Sequence, residues 1–205
     1  MSKPHLPRVL VVGASGTLGR AVATELEQRH EVIRAGRSSG DMRIDLTDAA
    51  SIRQALAQIG RLDAIVSAAG KVHFAPLAEM TADLFRVGLD DKLMGQVNLA
   101  LIGRDHLNDG GSITLTGGIL AEQFIRAGSS ASMVNGALEA FVRAAAIELP
   151  RGLRINVVSP NVLAESMPGY APFFRGFEPV TAARAALGYS RSVEGAETGQ
   201  VYRVF

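Results

Sequence analysis

Three glycines, Gly13, Gly16 and Gly19, stand three residues apart at the end of the apolar run Arg8-Val-Leu-Val-Val12. The Ala- and Leu-rich segment that follows, Arg20 to Arg29, reads as a helix. In a strand–turn–helix setting each glycine has its own task. Gly13 turns the chain, Gly16 admits a pyrophosphate to the backbone, and Gly19 lets the helix lie close on the strand. The loop Gly13-Ala-Ser15-Gly16-Thr17-Leu18-Gly19 then aims free N–H groups, with a helix dipole behind them, at an anion. A tight strand-to-helix turn is the bland alternative, and the placement at the first strand favours nucleotide binding. Eighteen residues after Gly19 comes Arg37, in Gly36-Arg37-Ser38, where a carboxylate would bind two ribose hydroxyls and an arginine would bind a 2′-phosphate. Arg37 points to NADP(H), with NAD the weaker alternative and a solvated loop arginine the bland one. Asp45 and Leu46 are placed to flank an adenine, unless Asp45 only caps the turn into the next helix.

Those loops need strands and helices to hold them. Glu31–Gly36, Met42–Leu46, Leu62–Val66, Gly111–Thr116, Gly152–Val158 and Gln200–Val204 read as further strands. Between them lie helices expected over Asp48 to Ile59 (capped by Thr47), Glu79 to Gly103, Ser129 to Leu149 and Thr181 to Tyr189. Strict alternation without repeats or linkers predicts one α/β domain over residues 1–205: a Rossmann-type, doubly wound parallel β-sheet in three α/β/α layers. Ligands of such sheets lie beyond the carboxyl ends of the strands. The ends at Ser67-Ala68-Ala69-Gly70, Thr116–Gly118 and Ser159-Pro160-Asn161 should therefore share an edge with the glycine loop.

Composition narrows the setting. The 205 residues suffice for one substantial core, and 47% hydrophobic with 20% charged residues is ordinary for a globular chain. A net charge of +1 gives no electrostatic case for nucleic acid or an acidic membrane surface. With no cysteine there is no thiol chemistry. Met1 to Pro7 hold no apolar signal core, and no run reaches the length of a membrane span. A soluble, cytoplasmic protein is expected.

The ensemble of motifs resembles the short-chain dehydrogenase/reductase family over essentially the whole length. The glycine loop, Asp45-Leu46, Ala68-Ala69-Gly70, Arg154-Ile-Asn156-Val-Val-Ser-Pro160 and Thr198-Gly199 carry the resemblance. It implies a nicotinamide cofactor held by Gly13, Ser15, Gly16, Thr17, Leu18, Gly19, Arg37, Ser38, Asp45, Leu46, Ala68, Ala69, Gly70 and Pro160. It also implies a homodimer or homotetramer built on the two long helices, 79–103 and 129–149.

The chain leaves the family at the reacting centre. The family's chemistry uses a tyrosine, a lysine four residues on, and a serine thirteen residues before the tyrosine. Aligned on Gly136-Ala137-Leu138-Glu139-Ala140-Phe141, those slots hold Ala131, Asn135 and Gly118. No Tyr-x-x-x-Lys exists anywhere, since the tyrosines are Tyr170, Tyr189 and Tyr202. The family's fourth active residue, an asparagine three before a glycine, is here Lys92, in Lys92-Leu-Met-Gly95. Lysine and asparagine have exchanged helices. The expectation is that Lys92 sends its ammonium into the vacated space near Asn135, against the alternative of a solvated surface lysine. Thr116, unless its side chain simply faces the sheet, and Tyr170 are the remaining candidates for proton handling; His73, Glu122, Gln123 and Glu165 are weaker ones. No His/Asp/Glu spacing predicts a metal. Two functions stay open: an NADP-dependent oxidoreductase acting on a small molecule with a non-standard proton donor, and a catalytically inactive NADP(H)-binding sensor or partner subunit.

Overall fold

The computed structural model describes residues 6–205. Most of the Met1 to Pro7 stretch, where no signal segment was read, lies outside those residues. Seven strands form a single sheet: β1 (Arg8–Val12), β2 (Glu31–Gly36), β3 (Met42–Arg43), β4 (Leu62–Ser67), β5 (Leu107–Thr116), β6 (Arg154–Pro160) and β7 (Val201–Val204). Their order is β3-β2-β1-β4-β5-β6-β7 and every pairing is parallel. The order reverses between β1 and β4, so the crevice at that switch point opens beyond the glycine loop. The helices are α1 (Thr17–Leu26), α2 (Ala49–Ile59), α3 (Ala82–Arg86), α4 (Gly95–Gly103), α5 (Ser129–Glu148), α6 (Met167–Tyr170) and α7 (Ala182–Glu194).

Strand alternation sorts the core into two layers. Leu10 and Val12 of β1 turn to the face covered by α2, α4 and α5, with Leu56, Leu99, Val134 and Leu138. Val9 and Val11 turn to the other face, against Val22 and Leu26 of α1 and Ala186 and Tyr189 of α7. Among the described residues no helix is long and apolar enough to cross a membrane.

Several boundaries differ from the sequence expectation for local reasons. The α1 helix starts at Thr17, inside the glycine loop, and ends at Leu26. The cap of α2 is Asp48, whose Oδ1 accepts from the Ala50 amide at 2.8 Å, and not Thr47. Thr47 instead donates its hydroxyl and amide to Asp45 Oδ1, at 2.7 and 3.0 Å, and β3 ends at Arg43, ahead of that turn. The long helix expected over 79–103 is broken into α3, a π-helical stretch Val87–Met94, and α4. Thr81 caps α3, accepting from the Leu84 amide at 3.3 Å. The π stretch holds Asp91 and Lys92.

Candidate active site

The glycine loop has the tightness that the spacing implies. Gly13 sits at φ +86°, and a Cβ there would come within 2.8 Å of Ala68 O and the Ala69 methyl. At Gly19 a Cβ would lie 2.0 Å from Gly13 O, which only glycine tolerates. Gly16 is the N-cap of α1 and supplies no side-chain cap, so the first N–H groups of the helix are left for a ligand. A Cβ at Gly16 meets only Gly13 O, at 3.4 Å. Gly13, Ser15, Gly16, Arg37, Ser38, Leu46, Ala68, Ala69 and Gly70 line one groove. Thr17, Leu18 and Gly19 form the first turn of α1 beneath it. A backbone cradle at an uncapped helix start, with Arg37 at its far end, fits the pyrophosphate of a dinucleotide.

At that far end Arg37 already has company. Its Nη2 lies 3.2 Å from Asp91 Oδ2, and its Nε lies 3.3 Å from Asp45 Oδ2. The Thr47 hydroxyl and amide, and then the Arg37 charge, hold the Asp45 carboxyl below its usual range. Asp91 also accepts from the Lys71 amide at 2.8 Å through Oδ1. Neither Asp91 nor Lys71 stood out in the sequence, although both line the groove.

Gly70 and Lys71 are shared with a second, larger cleft of about 420 Å³. Its walls are largely apolar, with Val72, Phe74, Val87, Ile119, Leu120 and Val162. Lys92, Asn135, Asn161, Ser166 and Tyr170 bring polar atoms to it, and Pro160 lies on its rim. The aliphatic stem of Lys92 runs against Gly70, where a Cβ would come within 2.6 Å of Lys92 Cγ. The ammonium ends 3.0 Å from Gly117 O and donates to it. Burial pushes this amine down to about 8, because desolvation penalises its charged form. Asn135 is on the next carbonyl along: its Nδ2 donates to Gly118 O at 3.3 Å, and its Oδ1 finds no partner among the described residues. The lysine and asparagine thus meet at adjacent peptide units of the loop after β5, from facing helices. Gln96 fixes this junction. Its side chain donates to Lys92 O and to Thr116 O, both at 3.0 Å, and accepts from the Thr116 amide at 2.8 Å.

Thr116 requires a correction. Its hydroxyl is buried, donating to Ser67 O and paired with Tyr189 OH at 2.6 Å, on the α7 side of the sheet. It does not line the cleft. Burial raises the Tyr189 phenol, which therefore stays neutral. Tyr170 does reach the cleft, with its ring edge-on to Phe74 and Phe174 at 5.6 and 6.1 Å. Phe174 is buried against Ile119, Leu120, Ala131 and Val162, so this part of the segment between β6 and α7 packs on the rest of the domain. Glu165 accepts from the Ala182 amide at the start of α7, at 2.9 and 3.0 Å, and Glu122 pairs with Arg203. His73 does not line the cleft, although its neighbours Val72 and Phe74 do. Among the described residues no three His, Asp or Glu side chains gather as a metal site.

The fold and groove define a nicotinamide-nucleotide type of α/β protein, and comparison with known proteins agrees. A family model described as enoyl-(acyl carrier protein) reductase matches residues 10–204, and the chain belongs to the short-chain dehydrogenase/reductase family. The chain is 53% identical to the protein lin1944 from Listeria innocua, with a TM-score of 0.96, covering 97% of this chain and 100% of that one. A small-chain dehydrogenase solved in complex with NADPH is 25% identical, with a TM-score of 0.86 over 97% of this chain and 96% of its own. An uncharacterized oxidoreductase of Methylorubrum extorquens is 29% identical over 78% of this chain and 75% of its own.

Proposed function

We propose that the protein is an NADP(H)-dependent oxidoreductase for a small-molecule substrate, working without the usual serine, tyrosine and lysine. Gly118, Ala131 and Asn135 stand at those slots, and Lys92 is the proton-handling group. The observation that carries this reading is the Lys92 ammonium, 3.0 Å from Gly117 O, in the wall where the cofactor groove meets the apolar cleft.

Bound nicotinamide supplies or takes up a hydride; the rest of the chemistry falls to the chain. Lys92 spends one donor on Gly117 O and keeps others for a substrate oxygen. An amine near 8 can hold or release a proton at working pH, which suits general acid catalysis. Asn135 holds the loop after β5 on which the ammonium rests, and the apolar walls exclude water. Tyr170 at the mouth is the second candidate donor. The Arg37 guanidinium supports NADP(H) over NAD through a 2′-phosphate. Exposed Val87, Met94 and Leu101, and exposed Met133 and Ile147 on α5, support a homodimer or homotetramer through the two long helical segments. A cytoplasmic setting belongs to the same proposal.

The test is turnover of NADPH with a panel of ketones, imines and enones by the protein and by Lys92→Met. Loss of about 10²–10⁴-fold in kcat with cofactor binding intact is expected. Bound NADPH without turnover of any of them would favour the sensor or partner-subunit reading. That reading draws on Ala131, which is 3% exposed and leaves no phenol at the tyrosine slot.

A further inference from the structure

We infer that Asp91 sets how sharply the groove tells NADPH from NADH, acting as a specificity-determining residue against the 2′-phosphate. The inference rests on the NADP(H) reading above and concerns the same groove. Arg37 is not a free cation awaiting a phosphate. Asp45 Oδ2 and Asp91 Oδ2 stand 3.3 and 3.2 Å from its Nε and Nη2. A 2′-phosphate arriving there meets one guanidinium flanked by two carboxylates. Lys71 lines the same groove and brings a second positive charge, so the four side chains sum to zero.

Asp91 cannot easily withdraw. Its side chain is only 15% exposed, and its Oδ1 is held at 2.8 Å by the Lys71 amide. A fixed carboxylate beside a doubly charged phosphate is repulsive, and it also occupies a donor that the phosphate would use. A nucleotide with a free 2′-hydroxyl meets no such repulsion. Arg37 therefore attracts the phosphorylated cofactor while Asp91 opposes it, and the net preference is smaller than Arg37 alone would give. Asp45 shares the effect, but its Oδ1 also holds the turn into α2 through Thr47, so its replacement would disturb more than charge. Asp91→Asn is the cleaner change, because an amide oxygen can still accept from the Lys71 N–H.

The experiment titrates NADPH and NADH by fluorescence into the protein, Asp91→Asn, Asp91→Glu and Arg37→Ala, at low and high salt. Asp91→Asn should raise the NADPH-to-NADH affinity ratio by about three- to tenfold, mostly through tighter NADPH, and salt should shrink the gain. Asp91→Glu keeps the charge and should hold the ratio within about twofold of the parent, on the same electrostatic ground. An unchanged or lower ratio in Asp91→Asn, with Arg37→Ala still lowering it, overturns the inference and leaves the NADP(H) reading standing. If Arg37→Ala leaves the ratio unchanged, or neither nucleotide binds the parent protein, the reading itself fails and the inference with it.

Discussion

Asn135 lies against the backbone of Gly118, with its Nδ2 donating to Gly118 O at 3.3 Å and only 3.0 Å from where a Cβ on Gly118 would sit. Asn135 and Gly118 are therefore linked, since the amide of one fills the space that a side chain at the other would need. Gly118 also stands at φ +158° and ψ 156°, a backbone region that side chains rarely adopt.

Gly118→Ser should cost about 1–3 kcal/mol in urea unfolding, from strain and contact together. Asn135→Ala in the same chain should recover part of the loss, giving a coupling of about 0.5–1 kcal/mol in a double-mutant cycle. Strict additivity would mean the two slots are independent.

The amine of Lys92 makes stability depend on pH with a definite sign. Its folded value of about 8 lies below the ordinary 10.5, so between those values the unfolded chain binds more protons. Stability from this group therefore rises with pH across that window and is lowest below it. Lys92→Met should gain about 1–3 kcal/mol at pH 7, and the gain should fade by about pH 10. Unfolding curves at the two pH values that keep a constant difference would contradict the buried ammonium.

Gly16 and Gly19 should separate binding from folding. Gly16 has ordinary dihedrals and an open side, so Gly16→Ala should keep stability within about 1 kcal/mol while weakening NADPH tenfold or more. Gly19→Ala would set a methyl 2.0 Å from Gly13 O and should cost over about 3 kcal/mol. Chemical unfolding and cofactor titration on both variants decide it, and equal stability losses would count against the loop geometry.

Thr116 and Tyr189 share a buried hydroxyl pair at 2.6 Å. Tyr189→Phe should cost about 1 kcal/mol and Thr116→Val about 1–3, because valine leaves two buried oxygens without their partner. The double variant should cost less than the sum, read from denaturant midpoints.

The glycine loop and the parallel, doubly wound sheet were legible because each rests on local sequence: a buried run, then turn residues, then a helix. Lys92 and Asn135 stand out in the sequence, and the structure sets them on the adjacent carbonyls of Gly117 and Gly118. The π-helical stretch was not. Val87 to Met94 carries no proline, and its one glycine, Gly88, packs against Ser130 and Val134 of α5. Asp91 was missed because its meaning comes only from Arg37, fifty-four residues away. At Thr116 the structure takes the alternative reading, a side chain facing the sheet, for a reason of parity. Thr114 and Thr116 share one face of β5, against Ser192 and Tyr189, while Ile113 and Leu115 share the other. Alternation gives that pairing of faces, but which helix covers each face is settled by tertiary packing.

All seven strands run the same way, so every loop that touches the groove or the cleft emerges at one pole. The opposite pole is laced by arginines. Arg8 and Arg61 reach the carbonyls of Arg61 and Leu107, at 2.8 and 2.9 Å, and Arg151 reaches Leu107 O and Asp109. The corner at Asp109-Gly110, exposed and turned at φ +75° on the glycine, lies in that stitched end. A fluorophore, bead or carrier chain tethered at this corner would hang from the far side and leave the mouth facing open solution.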